Sequence, residues 1–155
     1  MALRNIVEEG DPILRKRCKE VAELTPRLKE LLDDMVETMR ASDGVGLAAP
    51  QVGVLRRLAV VELDDKLYEL INPEIVEAQG DCYDDEGCLS VPGKIGKVHR
   101  PERVIVSSLD REGCSVSYEA EGLLARAFCH EIDHLDGILY TDKAEDIRFA
   151  EEDQE

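Results

Sequence analysis

The sequence predicts an α+β domain: mainly antiparallel β-sheets packed around a central metal-binding helix, with an amphipathic helix towards the N-terminus. Three observations predict it. An apolar stripe of helical period follows Thr25-Pro26, four β-type runs separated by turn signals fill the middle of the chain, and helical periodicity returns around "CHEIDHLDG", residues 129–137. At 155 residues the chain is about the size of one domain and long enough to bury a core. Residues 1–155 are therefore expected to form a single domain, with 143–155 as an acidic C-terminal tail.

The elements follow in order. "DPILRKRCKEVAEL" alternates apolar and basic residues and suggests one or two helical turns. From Thr25 a longer helix begins: Thr25 can cap, Pro26 suits the first helical position, and Leu28, Leu31, Leu32, Met35 and Met39 form one stripe. It should stop near "ASDG", with Gly44 as terminator. After "GVGLAAPQVG" come "RLAVVEL", "YELINPEIVEA", "RVIVSSLD" and "CSVSYEA", which read as strands of antiparallel sheets, with a hairpin at "LDREGCSV". "EGLLARAFCHEIDHLDG" then mixes a packing face with a site face on one helix. The closing "DKAEDIRFAEEDQE" is strongly acidic and is expected to be helical or frayed.

Composition narrows the function classes. Hydrophobic residues make up 43%, with no Trp and two Phe, so the core is mostly aliphatic. No apolar run is long enough to span a membrane. "MALRNIVEEGDPI" lacks the charged and apolar regions of a secretory signal, which points to the cytoplasm. The five cysteines, Cys18, Cys82, Cys88, Cys114 and Cys129, are odd in number and show no framework spacing, so they are expected as free thiols or metal ligands. A net charge of −16 argues against nucleic acid as a partner.

The chemistry concentrates in "HEIDH". On a helix, positions four apart lie roughly 40° apart and one turn up, so His130 and His134 point the same way and can share one ion. Glu131 sits about a quarter-turn away, where its carboxylate can exchange a proton with water at that ion. A catalytic metal generally needs a third protein ligand. The pattern HExxHxxGxxH fits through Gly137 and then meets Tyr140, which fails as the third ligand. A downstream carboxylate would have to be Glu145, Glu151 or Glu152, all in the acidic tail. "EGCLS", residues 86–90, offers Cys88, a thiolate donor beside a glycine that lets the backbone come close to a ligand. Cys88 is favoured and Cys82 is the runner-up. Cys129 points about 100° away from His130, and Cys18 and Cys114 read as small apolar residues.

"GVGLAAPQ" (44–51), "EGCLS" (86–90) and "HEIDH" (130–134), in this order and at these separations, resemble the three motifs of the peptide deformylases. The resemblance runs from "DPILRKRC" to "GILYTD" and is closest to the compact bacterial type. It implies a hydrolase that removes the formyl group from the N-terminal formyl-methionine of new polypeptides, with another HExxH metallopeptidase as the alternative. It implies that Cys88, His130 and His134 hold one divalent ion, most often Fe²⁺, with Zn²⁺ or Ni²⁺ also accommodated. It assigns Glu131 to proton transfer, and Gln51 with the backbone N–H of Leu89 to stabilising the oxyanion.

The same resemblance places Val45, Leu123 and Ala127 in the wall of a methionine pocket, with Gly46 and Gly87 offering backbone bonds to an extended peptide. Arg126 falls on that helix face; its stem is expected to line the pocket while its head reaches solvent. Asp133 could orient a neighbouring group, with Arg100 as partner, although a solvated charge is the plainer expectation. His99 is expected at the surface. Some relatives dock on the ribosome through a basic C-terminal helix, so any transient ribosome association of this chain should not run through its acidic tail.

Overall fold

A computed structural model describes residues 2–150. In chain order it contains α1 (Pro26–Ala41), β1 (Gly46–Ala48), β2 (Leu58–Leu63), β3 (Lys66–Gln79), β4 (Cys82–Cys88), β5 (Val91–Arg100), β6 (Arg103–Leu109), β7 (Ser115–Glu121), α2 (Gly122–Leu135) and β8 (Glu145–Phe149). The strands form two sheets, one of order β1-β2-β3-β6-β7 and one of order β4-β5-β8, with antiparallel neighbours throughout.

α1 starts as its residues dictate. Thr25 Oγ1 accepts from the Leu28 N–H and Pro26 takes the first turn, where no N–H is needed. Leu31, Leu32, Met35 and Met39 are buried together with Leu58 and Val60 of β2. The alternate residues of β2, Ala59 and Val61, join a second cluster with Phe128, Ile132 and Leu135 of α2. β2 is thus covered on both faces, which explains its nearly continuous apolar run. The sheet lies between the two helices, and that places α2 against β1 and β2.

Several expectations change in detail. The left-handed residue after α1 is Asp43 (φ 55°), not Gly44. Gly44 has another role: a Cβ there would lie 2.6 Å from Leu89 Cδ1, so any larger residue would displace that side chain. "DPILRKRC" forms one short turn, Pro12–Arg15, capped by Asp11, and then runs extended. β3 continues straight through Asn72-Pro73 by a register shift between Ile71 and Glu74. Asn72 adopts φ 50° and its amide clamps both the N–H and the C=O of Val21. The hairpin at "LDREGCSV" forms as expected, with Asp110 Oδ1 accepting from Glu112 N–H and Cys114 N–H.

The largest departure is the second sheet. Neither β4 nor β5 carries an outward-polar, inward-apolar alternation, because Glu86 and Arg100 are buried while Tyr83 is exposed. The acidic tail also divides. Residues 145–149 are neither helical nor frayed but form β8 on the edge of β5, with Lys94 opposite Phe149 and Ile95 opposite Arg148. Residues 151–155 of the tail lie outside the described residues. Gly96 makes the contact close, since a Cβ there would meet Ala144 Cβ at 2.9 Å and Ile147 Cγ1 at 3.1 Å.

Cutting the chain at these two places should therefore have different effects. A chain ending at Ala150 should keep its thermal midpoint, whereas one ending at Lys143 loses β8 and should melt roughly 5 °C lower, about 2 kcal/mol for a domain of this size. Thermal unfolding by circular dichroism checks this; equal midpoints for the two chains would show that β8 contributes nothing.

Candidate active site

The site lies where the two sheets approach α2. β1 is an edge of the larger sheet and β4 an edge of the smaller one. Between them is a cleft of about 330 Å³ lined by Gly44–Gly46, Gln51, Asp85–Leu89 and the α2 face of Leu123, Arg126, Ala127, His130 and Glu131. Val45 and Leu123 are partly exposed at this cleft, Leu123 at 56%, while Ala127 is buried.

Cys88 ends β4, where the pairing with β5 slips from Gly87 opposite Ile95 to Cys88 opposite Val91. That irregularity turns the strand towards α2. Cys88 Sγ lies 3.3 Å from His134 Nε2, and one donor atom each from Cys88, His130 and His134 fall within 4.8 Å of one another. Bond lengths near ~2.3 Å to sulfur and ~2.0 Å to nitrogen at a tetrahedral angle would put sulfur and nitrogen ~3.5 Å apart, so this donor set fits a divalent ion. It is the one such group of three among the described residues.

The other sequence candidates lie elsewhere. Tyr140 is buried against Val91 and Val98, its hydroxyl donating to the Lys94 carbonyl. Glu145 is exposed on β8 and accepts from the Tyr83 hydroxyl, while Glu151 and Glu152 lie outside the described residues. Burial pushes the Cys18 and Cys129 thiols up to about 11, which suits buried thiols rather than thiolates. His99 is exposed, paired with Asp81 and stacked on Tyr83.

Glu131 is buried beside this group, and its Oε1 has no hydrogen-bond partner. Burial pushes its carboxyl up to about 7. It also rests against Gly46: a Cβ at residue 46 would lie 2.5 Å from Glu131 Oε2, so only glycine leaves the carboxylate its place. Gln51 is buried and its amide has a fixed orientation. Its Oε1 accepts from Ala48 N–H at 3.0 Å, so Nε2 faces Ser90 Oγ at 3.0 Å and Cys88 Sγ at 3.5 Å. Leu89 follows Cys88 directly.

The supporting charges were largely missed by the sequence. Glu86 accepts from His130 Nδ1 at 2.6 Å, from Arg100 Nε and Nη2 at 3.0 and 2.7 Å, and from Arg126 Nη1 at 3.0 Å. Its burial would raise the carboxyl, but the bonds from His130 and Arg100 outweigh that and hold it at about 2. The bond also fixes the His130 tautomer, leaving Nε2 as the free lone pair. Arg126 does not send its head to solvent: it is 5% exposed and also donates to the Cys82 carbonyl at 2.8 Å. Arg100 reaches Asp133 at 2.6 Å, and Lys143 joins Asp133 at 3.0 Å, so Asp133 is not a merely solvated charge. The sequence signals for this cluster were Arg126 lying a turn before His130 on the same helix face and the candidate pairing of Arg100 with Asp133, which the structure contains.

Glu86→Gln tests how far the fold leans on that carboxylate. It leaves buried Arg126 with no carboxylate partner and Arg100 with Asp133 alone, and removing one partner of a buried ion pair typically costs 3–5 kcal/mol. Urea unfolding should show a loss of roughly that size; a loss under about 1 kcal/mol would mean the cluster relaxes into solvent.

Comparison with known proteins gives one answer. Residues 3–150 match the family described as Polypeptide deformylase. The peptide deformylase of Acetivibrio thermocellus is 60% identical over 154 residues, covering 99% of this chain and 89% of the relative. That of Thermoanaerobacter pseudethanolicus is 53% identical, covering 99% and 96%. The crystal structure of the peptide deformylase from Thermotoga maritima superposes with a TM-score of 0.90 at 42% identity, covering 92% of this chain and 98% of that one. With its three motifs brought to one cleft and this likeness along nearly its whole length, the chain belongs to the polypeptide deformylase family, whose members are metal-dependent hydrolases of the N-terminal formyl group.

Proposed function

We propose that in this deformylase Cys88, His130 and His134 hold one divalent ion, Fe²⁺ by resemblance with Zn²⁺ or Ni²⁺ as alternatives, and that Glu131 moves the proton during hydrolysis of N-formyl-methionyl chains. The observation that carries this reading is the meeting of three donor atoms within 4.8 Å beside a buried carboxylate oxygen with no partner. When bound, the ion supplies Lewis acidity towards water and the formyl oxygen.

The chain's own groups do the rest. Glu131 takes the proton from the attacking water and later hands it to the leaving amine, so that formate and a free N-terminal methionine result. Gln51 Nε2 and the Leu89 N–H donate to the formyl oxygen as it gains negative charge, a contribution of ~3 kcal/mol per donor. The amide can do so because the Ala48 N–H already holds its other end. Gly46 and Gly87 present the β1 and β4 edges to the incoming peptide, which can pair as an added strand. Val45, Leu123 and Ala127, with the Arg126 stem, wall the pocket for the methionine side chain.

In this reading the chain acts as one domain over residues 1–155, in the cytoplasm, on nascent chains. No helix among the described residues is long and apolar enough to cross a membrane. Any ribosome contact avoids the acidic tail, since carboxylates are repelled by RNA.

The ligand set is tested by metal analysis. Cys88→Ala leaves two histidines and should lose the ion, while Cys129→Ala should keep one equivalent. The reverse pattern would mean that the ligands are misassigned.

Holding the ion and moving the proton separate at Glu131. Glu131→Gln keeps the shape but cannot accept the proton, so it should retain a full metal complement while kcat for formate release from formyl-Met-Ala-Ser falls at least ~10²-fold. Bound metal and formate measured on one preparation decide it; a loaded variant within tenfold of wild type would assign the proton to another group.

A further inference from the structure

One feature of the sequence has no part in the cleft: the basic run Arg15-Lys16-Arg17-Cys18-Lys19. In the structure it is a rigid ribbon. Cys18 N–H donates to the Leu135 carbonyl, Lys19 N–H to the Leu55 carbonyl, and Arg57 N–H to the Lys19 carbonyl, which sets Lys19 beside Arg56. Gly137 closes over it so tightly that a Cβ would lie 2.5 Å from the Arg15 carbonyl oxygen. Only Cys18 is turned inward; Arg15, Lys16, Arg17, Lys19 and Arg56 are exposed.

The charge of this ribbon runs against that of the molecule. Six cations, Arg15, Lys16, Arg17, Lys19, Arg56 and Arg57, stand with four carboxylates, Glu20, Glu23, Asp136 and Asp142, on a chain whose net charge is −16. Part of this is structural: Arg57 holds the Leu135 carbonyl and Asp136 at the end of α2, and Arg15 pairs with Asp142. The remainder has no such account. Arg17 meets Asp136 only at 3.9 Å, and Lys16, Lys19 and Arg56 form no ion pair among the described residues. The other basic side chains without one come from three separate elements: Arg27 and Lys29 from α1, Lys66 from β3 and Lys97 from β5. A protein this acidic is repelled by a polyanion in most orientations, so a preorganised cationic strip decides which face approaches.

We infer that the ribbon formed by Lys16, Arg17, Lys19 and Arg56 is a docking surface for RNA phosphates. The inference rests on the proposed action on nascent chains, because such chains emerge from a particle whose surface is rich in RNA phosphate. The overall negative charge then keeps the remaining faces off that surface.

The full chain is tested against a short labelled RNA duplex and against intact ribosomes. Binding to both is expected at about 50 mM salt, weakening steeply as salt rises. Lys16→Glu/Lys19→Glu/Arg56→Glu should weaken it at least ~10-fold and flatten the log–log salt dependence by about three. The glutamine triple at the same positions should fall between. Lys29→Glu/Lys66→Glu/Lys97→Glu, with the same change in net charge, should lose under ~3-fold. All variants should release formate from formyl-Met-Ala-Ser at the wild-type rate, which certifies their folding. Equal losses in the two charge-reversed triples, or no binding by the wild-type chain, would overturn the proposal. Binding to ribosomes without binding to the duplex would also overturn it, by assigning the ribbon to a protein partner. Loss of formate release with RNA binding intact in wild type would strike the site roles and not this surface.

Discussion

One carboxylate organises the site. Glu86 sits on β4, two residues before Cys88, and both of its oxygens are shared between His130 and two arginines. Through His130 it reaches α2, through Arg100 it reaches β5, and through Arg126 it returns to the Cys82 carbonyl at the start of its own strand. The smaller sheet and the helix are therefore locked to one another by charged hydrogen bonds where an apolar core would otherwise be needed. Such an arrangement tolerates little displacement, because a buried guanidinium without its acceptor costs far more than a lost methylene. The relative position of Cys88 and the two histidines follows from it.

The neighbouring constraint is steric. Gly44 and Gly46 let β1 approach so closely that their missing side chains are replaced by Leu89 and by the Glu131 carboxylate. The floor of the cleft beside Gly46 is consequently backbone and carboxylate. Under the proposed function, a formyl carbon, which carries only hydrogen beyond its oxygen, would fit against such a wall where a bulkier acyl group would meet it.

Much of this was legible in the sequence, and what was not shares one cause. α1, the HEIDH helix and the strands of the larger sheet announce themselves because their apolar residues repeat with the period of the element. Cys88 and Gln51 stand out because they occur in short glycine-containing stretches. β4, β5 and β8 were hidden because what they bury includes Glu86 and Arg100 and what they expose includes Tyr83 and Phe149, the reverse of the usual alternation. Arg126 looked bound for solvent because its acceptors lie about 40 positions upstream, on a strand not itself recognised. Local pattern reports an element's own periodicity; it does not report a charge whose partner is supplied by another element.

The position of β8 has a consequence for biosynthesis. It covers β5, and β5 pairs with the strand that presents Cys88, yet β8 follows α2 in the chain and is made after everything it covers. Domains tend to fold from the N-terminus as they are made. Here α1 and the strands through β7 can associate early, but His130, His134 and the strand that closes the smaller sheet come later in the chain. While the polypeptide is still being elongated through these residues, the thiol of Cys88 has neither its neighbours nor its cover. The three donor atoms can meet only once α2 has followed β4 out of the ribosome, so an ion held as proposed would bind after that point.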